Sequence, residues 1–152
     1  MKGLKPPKTE VSPAKPRVRR QYGVLPYRLD PGLEVLLLTS RETKRWVIPK
    51  GWPMKGKKPH QSAAREALEE AGVTGKTGNK ALGAYSYVKL LKNGQLAPCK
   101  VKVFPLLVRR QRETWPEQEQ RDTRWFAPEE AADAVQEPEL AVIIRTFAAA
   151  RS

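Results

Sequence analysis

The stretch from Gly51 to Val73, GWPMKGKKPHQSAAREALEEAGV, decides how this chain is read. Gly51 to Pro59 carries two glycines and two prolines with no helical period, which predicts a loop. Pro59 suits the first position of a helix, where its missing N–H costs nothing, and Gly72 suits the cap that ends one. A helix is therefore expected from about Pro59 to Ala71. Ala63, Ala67, Leu68 and Ala71 would form its packed face, small enough to sit close against a sheet. The same helix crowds Glu66, Glu69 and Glu70 onto neighbouring positions, because residues three and four apart share a face. Like charges at that spacing destabilise a helix unless a cation lies between them, and a hard divalent ion takes oxygen ligands. Taken in isolation, REALEE reads better as a solvated surface with Arg65 paired to Glu69.

Upstream of the loop, Val18 to Tyr27 mixes apolar and polar residues in a strand-like way. Leu33 to Thr39 is an apolar run short enough for a buried strand, with Asp30-Pro31-Gly32 turning between the two. Trp46-Val47-Ile48 is a short strand that Pro49 closes. Downstream, Gly83 to Leu91 and Ala97 to Val108 read as a hairpin through Asn93-Gly94. Thr123 to Phe126 is a last short strand. Pro128 to Val135 and Pro138 to Ala150 are expected helices, the second with Leu140, Ile143, Ile144 and Phe147 on one stripe.

The chain has 152 residues and 39% apolar content, which suits one soluble domain. No apolar run approaches the roughly 20 residues that span a bilayer, and the basic N-terminus lacks the apolar stretch of a secretory signal. The lone Cys99 has no internal disulfide partner, so a reducing, cytoplasmic compartment is expected. Its place in an alternating segment reads as a small strand residue. Residues 1–16 are rich in Lys and Pro and are expected to form a flexible basic tail, followed by a single domain over 17–152. Net charge is +13, of which residues 1–20 contribute +6, so the folded part is basic in its own right. Nucleic acid, an anionic membrane surface and a polyphosphorylated small molecule all suit such a charge.

The Gly51–Val73 segment resembles the Nudix box. That pattern is Gly, five residues, Glu, seven residues, then Arg-Glu-(apolar)-x-Glu-Glu-x-Gly-(apolar). Gly51, Arg65, Glu66, Glu69, Glu70, Gly72 and Val73 fall in register, with Ala67 at the first apolar position. The first Glu of the pattern falls on Lys57, a reversal of charge. The resemblance extends over about Arg17 to Ala150 and implies the Nudix fold, an α+β arrangement with a mixed sheet between helices. It also implies hydrolysis of a diphosphate linked to another group, with Mg²⁺ as cofactor, for which Mn²⁺ can substitute. Glu69 and Glu70 become metal ligands, together with the backbone carbonyl of Lys50. Glu66 becomes a ligand or the base that takes a proton from water, and both roles stay open. Arg65 would orient the carboxylates by charge-assisted hydrogen bonds. Of the later acids Glu117 and Glu119, Glu119 is the first choice for a further ligand by its distance from Trp125.

Lys57 removes one carboxylate. Either fewer ions bind unaided, or Lys55, Lys57 and Lys58 hold a phosphate-rich substrate. The flanks favour such a substrate. Ser40, Arg41, Trp46, Val47, Ile48 and Pro49 resemble the layout of diphosphoinositol polyphosphate phosphohydrolases, as does Arg121-Asp122-Thr123-Arg124-Trp125-Phe126, with Thr123 where a second Arg would stand. That resemblance makes Ser40, Arg41, Arg121 and either Arg19 or Arg20 substrate ligands. Between Arg41 and Lys58 stand seven basic residues and one acid, Glu42. The expected function is a Mg²⁺-dependent pyrophosphohydrolase of inositol pyrophosphates or diadenosine polyphosphates. The alternatives are an RNA 5′-pyrophosphohydrolase, a nucleoside polyphosphate hydrolase, and a catalytically weakened RNA- or polyanion-binding module. No membrane partner is expected, and the sequence assigns no oligomeric state. His60 reads as a surface residue.

Overall fold

The computed structural model describes residues 17–151; the expected basic tail lies outside the described residues. At the centre, β1 (Arg19–Arg28) runs parallel to β7 (Leu96–Gln111), pairing Arg19 with Cys99 through to Tyr27 with Leu107. Every other pairing among the strands is antiparallel, so the sheet is mixed. On one side β1 pairs with β4 (Lys50–Gly51) and then with β2 (Glu34–Thr39). β2 in turn carries β3 (Trp46–Val47) and β8 (Thr123–Phe126). On the other side β7 pairs first with β6 (Gly83–Leu90) and then with β5 (Val73–Thr77).

Each central strand has a proline where its neighbour changes. Pro26 falls between the β4 and β2 pairings, and Pro105 between the last β6 partner, Val103, and the first β5 partner, Leu106. A proline cannot donate to a ladder, so it is tolerated where no partner waits for its N–H.

Alternation along the strands gives each face its own core. Val24, Leu36, Phe104 and Leu106 meet α1 (Pro59–Ala71), whose Ala63, Ala67 and Ala71 are fully buried. Leu25, Val35, Leu37, Val101 and Val103 face the other way, onto α2 (Pro128–Ala134) and α3 (Pro138–Ala150). Leu140, Ile143, Ile144 and Phe147 of α3 fill that side, and Phe147 meets Tyr27 edge-on at 4.9 Å between centroids. The result is the sandwich of helices around a mixed sheet that the resemblance implied.

Three details differ from the sequence reading. The expected strand through Ile48 is split: β3 pairs with β2, then Pro49 passes and β4 pairs with β1. The strand β5 was not anticipated, because VTGKT has little apolar content and forms only as an edge against the far end of β7. β7 also runs to Gln111, three residues past the expected end, because β5 supplies it with a partner.

Candidate active site

α1 begins on Lys58, whose N–H donates to Gln61 Oε1 at 2.9 Å, with Pro59 at the first helical position. It ends on Gly72, which adopts φ 72°, a left-handed conformation that glycine takes without steric cost. The indole of Trp115 packs where a Cβ on Gly72 would lie. The Gly72 carbonyl accepts from Arg112 N–H at 2.8 Å, and the Glu69 carbonyl accepts from Glu117 N–H at 3.0 Å. The loop after β7 is thereby fastened to the helix end that bears the acids.

Gly51 explains itself through Glu66, whose carboxylate occupies the place any side chain at position 51 would take. Glu70 is buried at 5% exposure. Burial pushes its carboxyl up to about 8; Arg121 and Lys50 oppose the rise, and Glu66 and Glu117 add to it. Glu66 is also raised, first by burial, with Glu69 and Glu117 adding and a hydrogen bond to Glu70 and the charge of Arg121 pulling back. Burial, more than the neighbouring carboxylates, is what favours a proton on Glu70. Among the described residues no three Asp, Glu, His or Cys side chains are drawn together into a ready-made metal cage. The donor set nonetheless fits a hard divalent cation: it is all oxygen, it is acidic, and its proton is one that a cation can displace.

Glu117 joins this cluster, while Glu119 is exposed and makes no side-chain hydrogen bond or ion pair among the described residues. Counting back from Trp125 pointed to Glu119, but residues 116–120 are wound in turns that bring Glu117 against α1. Arg121 sits inside the cluster at 11% side-chain exposure. Its Nε donates to Glu117 at 2.8 Å, Nη1 donates to the Thr39 carbonyl at 3.2 Å, and Nη2 lies 3.9 Å from Glu70. Arg65 donates Nε to Glu69 at 2.8 Å in a half-exposed pair on the helix surface. Arg121 is thus the cation within the acid cluster, a role its sequence context did not signal.

Lys50 and Gly51 are adjacent on β4 and point to opposite faces. A Cβ on Gly51 would enter the Glu66 carboxylate on the α1 side. The Lys50 Cβ lies beside Gly23 and Val101, on the side that α2 and α3 cover. The Lys50 ammonium sits 5.0 Å from the centre of the Tyr87 ring, and burial lowers it to about 8, against the pull of Glu70. Among the described residues it has no hydrogen bond or ion pair. Tyr87 donates to Gln21 Oε1 at 2.6 Å, and Arg19 lies on the same sheet face as Gln21. Glu137, held by Arg45 at 3.1 Å, is buried there with Oε1 lacking a partner. The resemblance implied a role only for the backbone carbonyl of Lys50, and no periodicity marks where its side chain goes.

The remaining candidates are spread around this centre. Ser40 Oγ accepts from Arg45 N–H at 3.0 Å and lies 2.5 Å from Thr43 Oγ1, so it holds the β2–β3 turn. Arg41 is exposed and donates to Gln120 at 3.0 Å. Lys55, Lys57 and Lys58 are all exposed in the loop before α1. Arg20 lies on the α1 face of β1, opposite to Arg19.

A hydrolase is the class of protein that this sheet, with its glycine-backed carboxylate helix, defines. The NUDIX domain profile matches residues 19–147, and the chain belongs to the Nudix hydrolase family. Among its relatives, Nudix hydrolase 18, mitochondrial, of Arabidopsis thaliana is 33% identical over 124 residues, covering 76% of this chain and 68% of the relative. Diphosphoinositol polyphosphate phosphohydrolase 3-alpha of Mus musculus is 32% identical over 121 residues, covering 78% of this chain and 70% of the relative. For Nudix hydrolase 16, mitochondrial, of Arabidopsis thaliana, at 33% identity over 109 residues and 70% of this chain, the match spans only 60% of the relative. In fold the chain is similar to the Ap4A hydrolase of C. elegans, with a TM-score of 0.65 and 23% identity over 90% of this chain and all of that one. Among the described residues no helix is long and apolar enough to cross a membrane.

Proposed function

We propose that the protein is a Mg²⁺-dependent pyrophosphohydrolase that cleaves phosphoanhydride bonds in highly phosphorylated small molecules, inositol pyrophosphates or diadenosine polyphosphates. The observation that carries this reading is the pair of opposed environments on either side of β4. One side holds crowded carboxylates and the other holds Lys50, a buried cation over the Tyr87 ring with no hydrogen bond or ion pair among the described residues. A substrate needs both: anionic phosphates to meet the cation, and a cation-binding acid cluster to meet the reacting phosphate.

In this mechanism Glu69, Glu70 and Glu117, with the Lys50 carbonyl and with Glu66 as a further ligand or as the base, would hold a divalent cation. When bound, it neutralises phosphate charge and makes the attacking water more acidic. The chain's own residues do the rest. Gly51 leaves the space that fixes Glu66. Arg121 spans Glu117 and Glu70, keeping the two acids in place by charge-assisted hydrogen bonding and attraction. Water forms a new O–P bond, the bridging O–P bond breaks, and the water proton passes to a carboxylate of the cluster. Lys50 and the exposed Lys55, Lys57 and Lys58 attract the polyphosphate. On this reading Lys57 contributes a substrate cation where the family pattern has an acid. A reducing, cytoplasmic setting agrees with Cys99, which is a free buried thiol.

The test is a Mg²⁺-dependent release assay comparing inositol pyrophosphates, diadenosine polyphosphates, nucleoside triphosphates and 5′-triphosphorylated RNA. Preference for nucleoside triphosphates or RNA overturns the substrate and leaves the chemistry. Polyanion binding without hydrolysis, unchanged in Glu69→Gln, overturns the enzyme reading in favour of a binding module.

A further inference from the structure

The hairpin β6–β7 extends beyond the start of α1 and leaves one sheet face uncovered among the described residues. Tyr85 is buried in the α3-side core, so Ser86, Val88 and Leu90 point the other way, opposite Lys100, Pro98 and Leu96 of β7. β1 adds Arg20 beside Lys100 and Tyr22 beside Lys102 on that same face. α1 covers this face only as far as Phe104, which His60 and Tyr22 touch from either side. The bare face is graded from one end to the other. Nearest the helix are the cations Lys102, Lys100 and Arg20. At the tip the side chains are aliphatic and open to solvent: Leu96 is 67% exposed, Val18 60%, and Val88 and Leu90 57% each.

No acid balances those cations within their own segments. Residues 17–29 and 83–112 contain no Asp or Glu. Arg17, Arg20, Lys92, Lys100 and Lys102 have no ion pair among the described residues. On β6, Glu139 Oε1 accepts from Ser86 N–H at 2.8 Å. Beside the tip a groove of about 710 Å³ is lined by Arg17, Arg19 and Arg20 together with Leu96 and Pro98.

Aliphatic side chains at a tip and a collar of cations behind them match the two layers of an anionic bilayer surface: acyl chains and, outside them, negative headgroups. A single-stranded nucleic acid matches less well, because its bases need aromatic faces for stacking. The aromatic residue on this part of the sheet, Tyr22, is half-buried and engaged edge-on with Phe104 at 6.4 Å. We propose that the bare face of β1, β6 and β7 docks the protein on anionic membranes, with Leu90 and Leu96 entering the interface and Lys100, Lys102 and Arg20 contacting lipid phosphates. This is peripheral binding, and it revises the sequence expectation of no membrane partner. Tyr22, which pairs with Gly51, marks the inner end of this face next to the acids of α1, while the tip that inserts lies at the far end of the strands.

The test is sedimentation of the full chain with phosphatidylcholine vesicles, with and without about 30% phosphatidylserine, at low and high salt. Binding is expected on the anionic vesicles alone and is expected to weaken with salt. Each cation near the surface is worth about fivefold, so Lys100→Glu with Lys102→Glu should weaken binding by more than tenfold. Leu90→Ser with Leu96→Ser should weaken it about tenfold while phosphohydrolase activity in solution stays unchanged. No binding to anionic vesicles overturns the inference. So does undiminished binding by the leucine variant, which would mean that no side chain inserts. A single-stranded RNA oligonucleotide held at the salt where vesicles are ignored overturns it in favour of a nucleic-acid face.

Discussion

On one face of the sheet α1 presents Ala63, Ala67 and Ala71; on the other α3 presents Leu140, Ile144 and Phe147. The alanine helix has little area to bury and contributes little hydrophobic stabilisation per residue. Its small side chains instead bring the helix axis close to the sheet, so that Glu66 reaches into the space left by Gly51. The layer made by α3 contributes stability, and the layer made by α1 contributes position. Changes to the first should show in the folding midpoint, and changes to the second in turnover.

The sharpest way to break that contrast is Glu69→Gln with Glu70→Gln. Turnover should fall on the order of a thousandfold or more, because several kcal/mol of charge stabilisation at phosphate depend on the ion these acids hold. Thermal unfolding should show that the protein stays folded, and full activity in the double variant would sink the site assignment. Next is Ile144→Ala, which should cost about 2–5 kcal/mol in denaturant unfolding while leaving kcat within about twofold. A large loss of kcat there would show that the two layers are not separable. Gly51→Ala should displace the Glu66 carboxylate and lower kcat about a hundredfold, since a misplacement near 1 Å costs that much.

A pH titration sharpens the comparison further. The Glu70 carboxyl is raised from 4.5 to about 8, so between those values the metal-free folded state binds more protons than the unfolded chain. Its contribution to stability is full below pH 4.5 and is lost as pH rises through 8. The metal-free melting temperature should therefore fall over that window, Glu70→Gln should flatten the fall, and added Mg²⁺ should raise it more at high pH. The smallest effect belongs to Arg65→Ala. The exposed i,i+4 pair with Glu69 is worth about 0.3–0.5 kcal/mol, so stability should barely change. A drop in kcat far beyond that would show that Arg65 acts on the carboxylates and not on the helix.

The sequence reading reached the helix because its signals were local: Pro59 at the start, Gly72 at the end, and alanines at helical spacing between them. The hairpin was equally plain from Asn93-Gly94. β5 was not legible, since a short polar edge strand exists only because the far half of β7 lies open to it. Within the site, spacing put Glu66, Glu69 and Glu70 on one face of α1, and only the resemblance made that face a metal site. Arg121, Glu117 and the side chain of Lys50 could not be placed from spacing. Their positions depend on how the loop after β7 fastens to Glu69 and Gly72, and on which face of a two-residue strand each residue meets. Those are tertiary facts, and the Gly51 in the box was their single visible trace.

The parallel pairing of β1 with β7 also sets a schedule. Arg19 needs Cys99, and Tyr27 needs Leu107, so the spine of the sheet cannot close until nearly the whole length between them has been made. Contacts this distant in sequence make folding slow, because a long loop must be closed before any of them forms. During synthesis α1 emerges long before β7, the strand that completes its seat. Val24, Leu25, Leu36 and Leu37 are then apolar strand residues waiting for partners, the kind of exposure that favours association between incomplete chains. Refolding yield should accordingly depend on protein concentration more steeply than on the integrity of the catalytic helix.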